Sequence, residues 1–204
     1  GADWQEHWGF AAWREVELPS VQDQAWAQDP IDQFVLARLE QAGLAPAADA
    51  EELVWLRRGH FDLIGLPPTR PEIEAYLASP PEQRRAATVD RLLASPQFGE
   101  KWARHMLDLV RYAETRGHEF DYPIPNAWEY RDYLVRALNQ DIGWDQLLRE
   151  HVAGDLLPEP RLNPQTAANE SVIGTGFWWL GEAAHSPVDL EVDLADRTAN
   201  QIDV

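Results

Sequence analysis

The sequence predicts an all-α fold: a compact single domain of about eight or nine helices preceded by an extended N-terminal arm. Three observations carry that expectation. Small polar residues placed just before a proline recur along the chain, at Asp29-Pro30, Ser95-Pro96, Asn163-Pro164 and Ser186-Pro187, and each reads as a helix start. Between these starts, apolar residues return at helical rather than strand spacing. The only apolar run of ambiguous period is Phe177, Trp178, Trp179 and Leu180.

Residues 1–28 show no sustained period and read as the arm, with Trp4, Trp8, Phe10, Trp13 and Trp26 as its anchors on the body; residues 29–204 read as the helical domain. Ile31, Phe34, Val35, Leu36 and Leu39 mark a first helix that stops at Gly43. Asp49 is the expected cap of a second, with Leu53, Leu56, His60 and Leu63 or Ile64 on one face and an end at Gly65. Leu66-Pro67-Pro68 forces an extended connector, because a residue before proline avoids the helical region. Thr69 with Glu72 three residues later is a capping box, and Pro80-Pro81 opens the helix that runs to Leu93. The stretch 95–158 then holds three more helix patterns separated by short breaks. No repeat of 20–50 residues points to a solenoid.

Composition narrows the functional classes. The 204 residues suffice for a real core, and 45% hydrophobic content with ten tryptophans argues against disorder despite 15 prolines. The net charge of −18 is uneven. Residues 22–52 carry seven acids against Arg38, and residues 182–204 six against Arg197, while residues 84–116 carry seven Lys or Arg against four acids. Such a chain lacks the continuous basic face that nucleic acid requires, so nucleic acid is not an expected partner. Zero cysteines exclude disulfides, thiol catalysis, Cys-ligated zinc and covalent haem within these residues. No apolar run reaches the length of a membrane span, and any export signal is expected upstream.

The chemistry-bearing residues concentrate between 95 and 158. Trp102, His105, Met106, Leu109, Tyr112 and Ala113 are the expected inward face of the helix from Pro96, with Arg104, Asp108 and Arg111 at ion-pairing spacing beside it. His105 and Met106 are adjacent and point apart on a helix, so they do not make an axial haem pair. Glu114, His118, Glu119 and Asp121 form a denser cluster after the helix end, but their spacing matches no defined metal motif, and no metal is expected. On the helix from Asn126 to Asn139, Trp128, Arg131, Leu134, Val135 and Leu138 form the expected inward stripe. A core-facing Arg131 needs a carboxylate, and Glu119, Asp121 and Asp155 are the candidates. Arg111, Glu119, Asp121, Tyr122, Trp128, Tyr130, Arg131 and Asp155 thus make up the candidate polar or ligand-binding cluster, either a structural network or a site. Its irregular connector, with aromatic faces beside carboxylates, suits a sugar guest.

GLPPT at 65–69, FGEKWARHMLDLVRYAET at 98–115, WEYRDYLVRALNQD at 128–141 and AGDLLP at 153–158 carry a family resemblance. On these motifs the chain resembles the planctomycete cytochrome-c-associated domain of unknown function, from about His7 to Val204. The resemblance implies a larger exported protein, periplasmic or at the cell surface, in a setting of polymer degradation, with a polysaccharide as a candidate ligand. It implies an attached cytochrome-c-like region as partner, with haem c held there by a motif beyond HSPVDLEVDLADRTANQIDV and no cofactor in the present residues. Gly59, His60 and His151 depart from the family's usual residues. Two functions follow: a non-catalytic or substrate-positioning module serving a c-type cytochrome, or a glycan-active hydrolase or lyase using the acidic cluster.

Overall fold

The computed structural model describes residues 7–12, 14–117, 121–180 and 188–202, with Trp8 and residues 200–202 described by their backbone. Among the described residues there are nine α-helices and no strand: α1 (Pro30–Gln41), α2 (Glu52–Ile64), α3 (Arg70–Ala78), α4 (Pro81–Leu93), α5 (Pro96–Leu109), α6 (Ala127–Asn139), α7 (Trp144–Ala153), α8 (Glu170–Gly174) and α9 (Leu190–Ile202). Short 3-10 turns add Trp8–Phe10, Gly154–Leu156 and Thr175–Trp179, the last of which resolves the ambiguous apolar run. No helix among the described residues is long and apolar enough to cross a membrane.

The chain divides into two compact units, residues 1–50 and 51–204. In the first, Asp29 caps α1 as expected, its carboxylate accepting the Asp32 N–H at 3.0 Å. Polar contacts tie the arm to α1, and of the expected aromatic anchors Trp26 is half-buried. The Glu40 carboxylate accepts the backbone N–H groups of Gln22 and Asp23, while Phe10 is 85% exposed. Trp4, Trp13 and the Trp8 side chain lie outside the described residues. Of the expected α1 face only Leu36 is buried.

In the second unit the capping box forms as expected, with the Glu72 carboxylate accepting both the N–H and the hydroxyl of Thr69. Two helix starts differ. The residue before α2 is Glu51, not Asp49, and its side chain makes no cap. Asn163-Pro164 opens a turn instead of a helix, because the Asn163 amide oxygen accepts the N–H groups of both Gln165 and Thr166 and closes the chain locally. The helix comes later, capped by Asn169 through the Val172 N–H. Ser186-Pro187 lies outside the described residues, and Asp189 caps α9 through Glu191 and Val192.

The second unit is organised on the pairing of α5 with α6; α2 packs on α4 and α5, and α7 on α8 and the flanking 3-10 turns. The faces that α5 and α6 turn to this core match the expected ones in part: Leu134 is buried, and Met106, Tyr112, Val135 and Leu138 pack against the core. On α5 the buried residues are Gly99 and Ala103, whereas Trp102, His105 and Leu109 are exposed. Close helix approach selects the small residues: a Cβ at Gly99 would stand 2.5 Å from the Val135 carbonyl oxygen. Asn139 fastens the contact, accepting the Gly99 N–H at 2.8 Å and donating to the Pro96 carbonyl at 3.0 Å. On α6 the buried residues are Ala127, Tyr130, Tyr133, Leu134 and Ala137, while Trp128 is 48% exposed.

Behind α6 lies a buried lock. Glu150, fully buried on α7, accepts two hydrogen bonds from the Arg161 guanidinium (3.0 and 2.8 Å), one from the Tyr133 hydroxyl (2.7 Å), and one each from Gln146 and Ser171 (3.1 Å). Burial pushes the Glu150 carboxyl up, but the hydrogen bonds from Arg161, Tyr133 and Gln146 outweigh it and hold the group below the usual range. Fully buried Glu170 on α8 takes Arg136 in the same two-pronged way, at 2.7 and 3.1 Å, and also Asn163 at 2.6 Å. These pairs tie α6, α7, α8 and the loop between the last two into one frame. Gly154 lets that loop close on α8, since a Cβ there would fall 1.7 Å from the Ser171 carbonyl oxygen.

Candidate functional site

Between α5 and α6 the chain runs through an irregular connector. Arg111, Asp121 and Asn126 all hold positive φ angles there (53°, 43° and 61°), a region that costs non-glycine residues energy and turns the chain sharply. The ends of the connector are clamped by an antiparallel bridge: the Arg116 N–H donates to the Tyr122 carbonyl at 2.9 Å, and the Ile124 N–H to the Glu114 carbonyl at 2.8 Å. Hydrogen bonds from the Thr115 side chain and the Gly117 N–H hold the Asp121 carboxyl below its ordinary range. Asp121 is therefore a turn-forming residue, and its side chain is exposed.

The structure separates the candidate cluster rather than gathering it. Arg111 and Tyr122 are exposed, and so is Asp155, on the 3-10 turn after α7. Glu119 and His118 lie outside the described residues. Arg131 is not a core residue: its side chain is 42% exposed and pairs with Glu114 and Asp132, at 2.7 and 2.9 Å, not with Asp121 or Asp155. The arginines that meet sealed carboxylates are Arg161, 15% exposed, and Arg136 on α6, 32% exposed, neither of them among the candidate residues. Glu114 also accepts the Tyr112 hydroxyl at 2.8 Å, and burial together with this bond pushes the phenol up to about 12.

Tyr130 is the candidate residue that becomes central. It is buried, and its hydroxyl donates to His151 Nε2 at 2.9 Å. In the neutral imidazole, the Nδ1–H that donates to the Leu147 carbonyl at 2.7 Å leaves Nε2 as the acceptor. Burial, partly opposed by the Leu147 bond and by Glu150, pushes the His151 pKa down, and burial pushes the Tyr130 phenol up. The His151 carbonyl in turn accepts the Trp178 indole N–H at 2.9 Å.

Tyr130 forms part of the wall of a half-open cleft of about 350 Å³. Ile124, Ile173 and Leu180 supply its apolar lining, and Arg116, Asn126, Glu129 and Trp179 its polar and aromatic rim. Trp179 is 68% exposed, and its carbonyl accepts a long bond from Arg116 at 3.5 Å. A second cleft of about 490 Å³ lies along α5 and α6 over Ala103, Leu107 and Val135. Its arginines are already committed, Arg131 to Glu114 and Asp132 and Arg136 to Glu170. Arg116, Glu129 and Trp179 are not among the candidate residues, Trp179 standing only in the apolar run of ambiguous period. The signal was present in the pair Trp178-Trp179: on a short turn, one adjacent indole packs inward and the other is left outside.

Fold and cleft together define an all-α domain whose buried ion pairs frame an aromatic-rimmed recess. The chain belongs to the PSCyt2 family, described as a protein of unknown function (DUF1549), whose model matches residues 30–204. No curated protein and no solved structure matches it.

Proposed function

We propose that this domain is a non-catalytic binding and positioning module of a larger exported protein linked to a c-type cytochrome, and that it seats a polysaccharide segment in the cleft between Arg116 and Trp179. One observation carries the reading. An exposed tryptophan, an arginine and a carboxylate meet on the rim of an apolar recess, one wall of which is Tyr130, locked by His151. Apolar recesses with a few placed polar groups are the usual form of a small-ligand site, and sugar rings offer both C–H faces and hydroxyls to such a surface. The buried acids support the same reading, since Glu150 and Glu170 are committed to holding helices together.

The cytochrome-linked, exported and polysaccharide-related setting is supported by the motif resemblance in 98–115 and 128–141. The present residues do not fit a covalently attached haem, because thioether attachment needs cysteine and the chain has none. In this reading, the haem c that the resemblance implies would be held by another segment of the parent protein.

Calorimetric titration of the 204-residue chain with soluble oligosaccharides tests the site. Trp179→Ala weakens binding at least about tenfold, as loss of an aromatic anchor does. Trp128→Ala, outside the cleft, leaves binding unchanged. Equal loss in both variants, or none in Trp179→Ala, refutes the placement, and turnover of the oligosaccharide would favour the hydrolase or lyase alternative.

A further inference from the structure

We infer that the cleft selects sugars bearing a negative charge, a carboxylate or a sulfate ester, and that Arg116 is the residue that reads it. This rests on the binding-module reading above.

The half-buried arginines supply the argument. Among the described residues these are Arg84, Arg85, Arg116, Arg131, Arg136 and Arg161. Five of the six hold a carboxylate within 4 Å: Arg84 and Arg85 share Glu52 (3.8 and 2.7 Å), Arg131 has Glu114 (2.7 Å), Arg136 has Glu170 (2.7 Å) and Arg161 has Glu150 (2.8 Å). Arg116 has no carboxylate at that distance among the described residues; its contact is the long one to the Trp179 carbonyl. Among the described residues, then, Arg116 is the half-buried arginine that no carboxylate approaches within 4 Å.

A guanidinium at the mouth of an apolar recess has lost part of its hydration and recovers it best from a planar or tetrahedral oxyanion, which its fork of N–H donors matches. Glu129, on the same rim and beyond ion-pair distance, suits the other half of such a guest by accepting its hydroxyls. The net charge of −18 does not forbid an anion here. Screening at physiological salt reduces the reach of distant acids to about 8 Å, and residues 84–116 form the locally basic part of the chain.

The test titrates wild type, Arg116→Gln and Arg116→Lys with three probes: an oligogalacturonate, the same oligomer fully methyl-esterified, and a sulfated galacto-oligosaccharide. The wild type is expected to bind a charged probe about tenfold or more tighter than the ester, as an added hydrogen bond to a charged group implies. Arg116→Gln erases that preference while retaining ester binding, and Arg116→Lys keeps part of it. The better of the two charged probes identifies the anion. The urea midpoint of Arg116→Gln stays at the wild-type value, since only the long Trp179 contact is lost. A wild type that binds ester and charged probes equally overturns the inference and leaves the binding module standing. So does a charge preference that survives Arg116→Gln. A chain that binds none of the three, charged or neutral, overturns both.

Discussion

Tyr133, Glu150 and Arg161 behind α6, and Tyr112, Glu114 and Arg131 before it, repeat one arrangement of three side chains. In each, a phenol and a guanidinium donate to the same glutamate. Tyr76, Glu52 and Arg85 make a third copy across α2, α3 and α4. The copies differ in what surrounds them. Glu150 is sealed and accepts five hydrogen bonds, whereas Glu114 stands half in water beside a connector with three non-glycine positive-φ residues. Identical chemistry thus serves as a rivet in one place and as a lightly held rim in the other, because water sets what an ion pair is worth.

The largest expected effect breaks the buried copy. Arg161→Ala strands the Glu150 carboxylate and costs about 3–5 kcal/mol, against under about 1 kcal/mol for Arg131→Ala. Urea unfolding midpoints measure both. The pair Glu150→Gln with Arg161→Met is expected to cost less than Arg161→Ala alone, since no charge is then left unpaired while Tyr133 keeps an acceptor. Equal midpoint shifts for Arg161→Ala and Arg131→Ala would end the distinction between rivet and rim.

A smaller effect comes from His151, inside the same frame. Burial lowers its folded pKa from 6.5. Between that lowered value and 6.5 the unfolded chain binds a proton that the folded chain refuses, so stability is full above about pH 6.5 and declines as pH falls, by at most about 1.4 kcal/mol per pH unit. Glu150 adds its own loss below 4.5, where the unfolded carboxyl protonates and the folded one resists. Unfolding midpoints followed from pH 8 to pH 5 in wild type and His151→Gln separate the histidine's share: the variant is expected to have the flatter profile. Identical slopes would show that His151 is as free to protonate folded as unfolded.

Most helices were legible in the sequence because caps, prolines and period are local properties, as Asp29 and the Thr69–Glu72 box show. Which face of a helix turns inward was less legible. Counting apolar residues favours Trp128, Val135 and Leu138 on α6 and Trp102 and Leu109 on α5. The core keeps the expected Leu134, with Val135 and Leu138 packed against it, but leaves Trp128, Trp102 and Leu109 exposed and takes Tyr130 and Tyr133, whose hydroxyls find His151 and Glu150, and Gly99, whose missing side chain permits close approach. Partners 11 and 34 residues apart, Arg161 with Glu150 and Arg136 with Glu170, depend on tertiary folding and leave no periodic trace. The cleft was hidden for the same reason: Arg116 and Trp179 are 63 residues apart and meet only once the last turn has packed.

The smallest expected effect sharpens the comparison at the rim. Glu114→Ala, Arg131→Ala and the double variant form a cycle that isolates the coupling between the two side chains from whatever each does alone. Both are about half exposed, so each keeps much of its hydration when the other is removed, and the coupling is expected at about 0.2–1 kcal/mol. Raising the salt concentration should shrink it further, because screening acts on exposed pairs. Asp132 also pairs with Arg131, at 2.9 Å, and would retain the guanidinium after Glu114 is lost, which again favours a small number. A coupling above about 2 kcal/mol, insensitive to salt, would mean that the Tyr112–Glu114–Arg131 copy is desolvated like its buried counterpart. Arg131 would then be an interior residue after all, and the connector beside the cleft would be as rigid as the lock behind it.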